Sequence, residues 1–308
     1  MSILVMDIGG TYMRLAMSDD GQTFYKDPQK IATAPFPAVD DALNSYVQQE
    51  NIAPESVTRI LIARSDRNNW AITPAQIARA LPKAQLTLIN DFEANAAGLV
   101  SVDNDTLLHI GGQKTAPDMS FPRTVIGVGT GLGLAYLTKE QHVQRTHGGH
   151  MRPACITPDH ITLFAELQTF KQTPSIPIYE DALSGNGLLH IYQILCARLH
   201  CDCAYSDTHA LLAAGHSDPI VQNTLAIFHE LFGIFAHQVT AFGCSYGGLY
   251  LTDGMIDRLF AHNLFDRETF FRHLYQHTVP IVLDDVRSTP VFWVKDEFIS
   301  LKGLLSCV

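Results

Sequence analysis

Apolar residues occur along the chain in short unbroken runs separated by stretches of helical spacing, the alternation that an α/β protein requires. Ile3-Leu4-Val5-Met6 predicts a buried strand, and Val57 to Ile62, the apolar Leu86 to Ile89 and Thr124 to Ile126 predict three more. Between the first two, Asp40 to Gln49 carries Ala42, Leu43, Tyr46 and Val47 on one stripe, which predicts an amphipathic helix. Pro174 to Pro177 breaks the chain. Farther on, Gly187 to Leu199 predicts a helix with Leu188, Ile191, Leu195 and Leu199 on one face, and Phe228 to Phe242 a buried helix whose aromatics serve the core. Gly247 to Met255 reads as strand and turn. No internal repeat or low-complexity segment interrupts this order.

Candidate chemistry sits where strands end. Asp7-Ile8-Gly9-Gly10-Thr11-Tyr12-Met13-Arg14 follows the first strand, and Gly9 and Gly10 are expected to turn the backbone with positive φ and bring amides to an anion. Asp7 is placed to hold a metal ion or its water, and Thr11 adds a hydroxyl. A second cluster, Gly127-Val128-Gly129-Thr130-Gly131-Leu132-Gly133, leads into the apolar Leu134 to Leu137. Two strand-turn-strand loops of this kind can cradle a phosphate with backbone amides. The pattern Gly-x-x-x-x-Gly-Lys-Ser/Thr is absent, which excludes a P-loop, and the residues after Gly131 continue as a strand where a dinucleotide turn would enter a helix. Between the loops, a strand ends in Asn90-Asp91 and passes into an Ala-rich helix. Asp91 is either a helix cap or a base beside a phosphate site.

Taken together, Asp7 to Leu15, Ile89 to Phe92, Gly127 to Gly133, Gly148-Gly149-His150 and Leu183 to Leu188 resemble, in order and spacing, the motifs of bacterial glucokinases in the actin-like sugar kinase superfamily. The resemblance spans nearly the whole chain. It implies a two-domain actin-like (ribonuclease H-like) α/β fold with an interdomain cleft, a smaller domain of 1–101 plus 297–308 and a larger one of 102–296. It implies transfer of a phosphoryl group from ATP, with Mg, to the primary hydroxyl of glucose or a related hexose. Asp91 is then the base. Asn90, His147, His150 and Glu180 bind the sugar; Asp7, Gly9, Gly10, Thr11, Gly129, Thr130 and Gly131 hold the nucleotide; Asp7 orients Mg, directly or through water. Arg14 either neutralises phosphate charge or makes a structural salt bridge. A homodimer is implied by the same resemblance, and a cytoplasmic location is expected from the composition read below.

Composition narrows the partners. A formal charge of −10 argues against a nucleic-acid surface. No apolar stretch is expected to reach the length of a membrane span, and no basic region precedes an apolar leader. The chain opens on its first strand, so no DNA-binding helix pair is expected ahead of it. Its six cysteines are read as structural thiols, and His200-Cys201-Asp202-Cys203 lacks the second ligand pair of a zinc site.

Several positions depart from the family pattern. His147 stands where a glutamate is usual, and an imidazole cannot reproduce a carboxylate's two acceptors toward sugar hydroxyls. The segment Ala63 to Pro74 keeps only Thr73 of the residues that close over the sugar, while Arg64 and Arg67 either meet a charged or modified sugar or are solvated. Tyr12 replaces a small polar residue, and Asp253 replaces the first glycine of a Gly-Gly turn at the adenosine end. The segment Glu297 to Val308 resembles the family's returning helix but is shorter. These departures motivate an alternative, a sugar-binding or regulatory protein with weakened catalysis.

Overall fold

The structure, a computed structural model, describes residues 2–65, 68–102, 104–172 and 174–306. The expectations attached to Arg67, Cys307 and Val308 lie outside the described residues. Two compact units form, the first from Met1–Thr106, Gln141–Arg145 and Asp296–Val308, the second from Leu107–Glu140 and Thr146–Lys295.

The first unit runs β1 (Ser2–Ile8), β2 (Tyr12–Ser18), β3 (Gln29–Ala32), α1 (Val39–Gln49), β4 (Val57–Arg64), α2 (Pro74–Ala80), β5 (Gln85–Asn90) and α3 (Asp91–Gly98). Its sheet has the order β3-β2-β1-β4-β5. The first three strands are an antiparallel meander, whereas β1, β4 and β5 are parallel, with Ile8, Arg64 and Asn90 aligned in one row. Strand β1 is apolar at nearly every position because both of its faces are covered. Leu4, Met6 and Ile8 pack with α1 and α2 residues such as Leu43 and Ile77, while Ile3 and Val5 meet Ala94, Leu301 and Leu304. A helix at Ile299–Leu305 lies against α3, and two glycines make that approach possible. A Cβ on Gly303 would stand 1.8 Å from the Ala94 carbonyl oxygen, and one on Gly98 would stand 2.1 Å from that of Ile299.

The second unit contains β6 (Leu107–Gly111), β7 (Arg123–Val128), β8 (Leu132–Leu137), β9 (Gly248–Thr252) and β10 (Val291–Val294), ordered β6-β10-β9-β7-β8. Helices α4 (Pro158–Phe170), α5 (Gly185–Arg198), α6 (Thr208–Ala213), α7 (Pro219–Phe242), α8 (Gly254–Ala261), α9 (Arg267–Leu274) and α10 (Pro280–Ser288) complete it. Helix α7 begins nine residues before the predicted Phe228. Its start is set by Asp218, whose side chain accepts from the Ile220 and Val221 amides, and by Pro219 in the first turn. Phe228, Phe232 and Phe235 enter the core as expected, but Phe242 is 89% exposed at the helix end. Leu199 also falls outside the core, 62% exposed, because α5 ends at Arg198.

Two further expectations are corrected. Among the described residues α7 is long and apolar enough to cross a membrane, and most of its apolar side chains are buried in the unit's core instead. Of the described cysteines only Cys196 is buried; Cys155, Cys201, Cys203 and Cys244 are exposed, since their segments are surface turns and helix ends.

Burial also creates an acid-sensitive point. His229 on α7 is fully buried, with Nδ1–H donating to the Leu225 carbonyl at 2.7 Å and Nε2 accepting from the Asp266 amide at 3.3 Å. That pairing needs a neutral ring. Burial pushes its pKa down to about 4, against the opposing pull of the Leu225 carbonyl and Asp266. Below the ordinary value of 6.5 the unfolded chain takes up a proton that the folded chain refuses, so stability is lost as pH falls from 6.5 toward about 4. The full loss is about 3 kcal/mol. Urea unfolding at a series of pH values is expected to show this slope in the parent and a flatter one in His229→Gln; equal slopes refute it.

Candidate functional site

In the first unit the carboxyl ends of β1, β4 and β5 share one edge, the usual binding edge of a parallel sheet. Asp7 is buried there. Its Oδ2 accepts from Arg14 Nη1 at 3.3 Å and from Ser300 Oγ at 2.7 Å. Burial raises its pKa above the ordinary carboxylate range, with the Arg14 charge and both hydrogen bonds pulling it back. Arg14 therefore makes the salt bridge, and its buried Nε has no hydrogen-bond partner.

The turn after β1 is closed by Gly9 N–H donating to the Tyr12 carbonyl at 3.0 Å. Neither Gly9 nor Gly10 is among the glycines with positive φ, which corrects the sequence expectation. Close approach explains the first glycine instead, since a Cβ on Gly9 would meet the Tyr12 carbonyl oxygen at 3.0 Å. Thr33 fastens the turn from outside, its hydroxyl donating to the Gly10 carbonyl and its amide to that of Thr11. Gly10 and Thr11 stay exposed. Tyr12 is exposed as well and lies under the Lys30 ammonium, 5.2 Å from the ring centre.

Asn90, not Asp91, is the N-cap of α3. Its Oδ1 accepts from the Phe92 amide at 3.0 Å, and Asp91 Oδ1 accepts from the same amide at 3.0 Å. Asp91 is thus the first helical residue, half-buried and held at the strand-to-helix junction. Arg64, beside Asn90 in the sheet, donates to the Trp70 carbonyl at 3.4 Å and so braces the following loop. Asn68 is buried and accepts from the Trp70 amide, while the Ser65 amide donates to the Ile8 carbonyl. Thr73 serves α2: its hydroxyl caps the helix at Gln76 N–H, ahead of Pro74.

In the second unit Gly129-Thr130-Gly131 is the turn between β7 and β8, closed by Gly129 N–H donating to the Gly131 carbonyl at 2.9 Å. The Gly129 carbonyl in turn accepts from the Gly185 amide at the start of α5, where Ser184 is the cap. Glu180 is tied to this loop through Leu132 N–H, which donates to its Oε2 at 2.9 Å. The same oxygen lies 3.8 Å from His150 Nε2. His147 precedes and His150 ends a short helical turn, their rings stacked at 6.0 Å. Gly148 and Gly149 are buried under β8; a Cβ on Gly149 would stand 1.9 Å from the Leu132 carbonyl oxygen. Thr146 sets this turn by donating to the Leu134 carbonyl and accepting from Gly148 N–H. His147 and Gly148 also line a cavity of about 680 Å³ with Met151, Ile234 and Val239.

Asp253 follows β9 as the N-cap of α8, with φ 81° and ψ 162°, a region that side-chain-bearing residues avoid at a cost of about 1–3 kcal/mol. It faces the glycine turn: a Cβ on Gly129 would meet Asp253 Cβ and Oδ2 at 3.6 Å.

Each unit brings its own expected residues together, Asp7, Gly9, Gly10, Thr11, Asn90 and Asp91 in the first and Gly129, Thr130, Gly131, His147, His150 and Glu180 in the second. Ser300, Thr33, Ser65 and Thr146 were not foreseen. Ser300 is 293 positions from Asp7, and no local pattern marks it. As for metals, no cluster of three or more His, Cys, Asp or Glu suited to an ion occurs among the described residues. Mg takes one or two carboxylates and completes its shell with phosphate and water. Of the two Asp7 oxygens, Oδ2 takes both of the hydrogen bonds from Arg14 and Ser300.

The family model described as Glucokinase matches residues 4–308. A glucokinase from Chromohalobacter salexigens is 31% identical over 271 residues, covering 83% of this chain and 82% of that protein. Among solved structures, glucokinase from Balamuthia mandrillaris in complex with glucose has a TM-score of 0.83 at 18% identity, covering 99% and 92% of the two chains. A ROK family glucokinase from Streptomyces griseus in complex with glucose and AMPPNP has a TM-score of 0.66 at 15% identity, covering 100% and 99%.

The unforeseen contact is open to test. Ser300→Ala removes one of two donors from a buried carboxylate and is expected to cost about 1–3 kcal/mol in chemical denaturation. A midpoint equal to the parent's contradicts the role given to Ser300.

Proposed function

The chain belongs to the glucokinase family of ATP-dependent sugar kinases, and from that premise we propose that it passes the γ-phosphoryl of ATP to the primary hydroxyl of glucose or a related hexose with Asp91 as the base. Phosphoryl transfer asks for positioning and charge stabilisation more than covalent chemistry. The observation that carries the reading is the anchored carboxylate at position 91. Asp91 Oδ1 accepts from the Phe92 amide at the carboxyl end of a parallel strand, which supports reading the group as the acceptor of a hydroxyl proton.

Other roles follow from the local geometry. Asn90, His150 and Glu180 bind sugar hydroxyls, and His147 joins them with one donor and one acceptor in place of a carboxylate. Glu180 is suited to this because Leu132 N–H fixes its Oε2 beside His150. Gly9, Gly10 and Thr11, and separately Gly129, Thr130 and Gly131, offer turn amides and hydroxyls to phosphate oxygens. Asp7 would hold Mg through Oδ1, directly or by way of water, and the ion when bound supplies neutralisation of phosphate charge. Glucose and AMPPNP in the fold neighbours support this pair of substrates. The same reading takes 1–101 with 297–308 and 102–296 as the two domains, and a cytoplasmic homodimer as the acting form.

ADP release with Mg-ATP and a panel of hexoses, amino sugars and their N-acetyl forms identifies the acceptor. In the variant Asp91→Asn, turnover of that acceptor is expected to drop roughly 10²- to 10⁴-fold with sugar affinity kept. Near-parental turnover by this variant sinks the assignment of the base.

A further inference from the structure

Residues of β8, of α7 and from the end of α9 line, with His147 and Gly148, the cavity of about 680 Å³ in the second unit. Its walls are mainly apolar. Leu134, Ile234 and Val239 are buried there, while Met151 and Phe242 are exposed. A hollow of this kind suits a ligand with a hydrocarbon body. Asp and Glu make up 31 residues of the chain, yet none lines the cavity, whereas Arg152, His147, His237, His273 and His277 do. Its ionisable groups are therefore all basic. Glu230, the carboxylate 3.9 Å from His273, is already engaged by His160 Nε2 at 2.8 Å. Arg152 is exposed and has no hydrogen bond or ion pair among the described residues. His277 adds a donor, because its Nδ1 accepts from the Val279 amide at 3.0 Å and the neutral ring then carries its proton on Nε2. His237 stacks on it at 5.0 Å and donates through Nδ1 to the Leu274 carbonyl.

We propose that this cavity binds an organic carboxylate with an apolar body, the carboxylate meeting Arg152 and His277 and the body lying on Leu134, Ile234 and Val239. A guanidinium and an imidazole N–H are matched donors for such a head group. A second copy of the chain is a poorer occupant, because a two-fold contact through this face would set the cations of one copy against those of the other. Binding here requires no phosphoryl transfer. The occupant nevertheless shares a wall with the turn that carries His147 and His150.

Titration calorimetry on the full chain, with decanoate, 1-decanol and decylammonium as probes, tests this in the parent, Arg152→Ala and Arg152→Glu. The parent is expected to hold decanoate roughly tenfold more tightly than 1-decanol, and decylammonium least tightly. Arg152→Ala is expected to remove most of that preference and leave 1-decanol unchanged. Arg152→Glu is expected to reverse the order of decanoate and decylammonium. Because Arg152 is exposed, both variants are expected to melt with the parent. Absence of decanoate binding by the parent, equal affinity for the charged and uncharged probes, or a decanoate preference that survives Arg152→Glu each overturns the assignment. A parental dimer that refuses decanoate and is split by Phe242→Asp identifies a second copy as the occupant, and overturns it as well.

Discussion

A carboxylate buried at the end of a fully covered strand must be given partners, and the first unit is arranged around that need at Asp7. Strand β1 is apolar because helices lie on both sides of it, so water is kept from its end as well as its middle. Arg14 arrives through the antiparallel register of β2, opposite Asp7. Ser300 arrives from the far end of the chain on the helix that glycine contacts press against α3. The hairpin, the sheet and the returning helix thus converge on one oxygen atom.

Strands and helices set by local composition were legible in the sequence. The runs at Ile3, Val57 and Thr124 and the stripe from Ala42 to Val47 became β1, β4, β7 and α1, because burial follows periodicity wherever an element is covered on known faces. Errors came at ends and at distances. Leu199 follows the helical stripe but lies past the last turn, and Phe242 ends a core helix facing solvent. The early start of α7 was written in Asp218-Pro219, a capping signal that the aromatic pattern overshadowed.

The local geometry around the candidate site residues was legible only in part. Asn90 and Asp91 were seen as neighbours, yet only the structure assigns the cap to Asn90 and the first helical position to Asp91. Gly9 suggested a positive φ where the constraint is the close approach of the Tyr12 carbonyl; both demands disfavour a side chain, so sequence cannot separate them. Thr73 caps a helix. Ser300 and Thr33 act through tertiary contact, which leaves no local periodicity to detect.

The pairing of Ile299–Leu305 with α3 has a consequence for how the chain is made. Ribosomes release residues in order, so α3 and β1 exist for most of synthesis without the helix that covers them, and the Asp7 carboxylate lacks its Ser300 donor for the same interval. Loop closure over nearly the whole chain is slow compared with local helix formation. The second unit can collapse on its own sequence while the first waits, partly uncovered, and during translation the nascent chain passes through a stage in which apolar surface near its beginning is available to chaperones or to other chains.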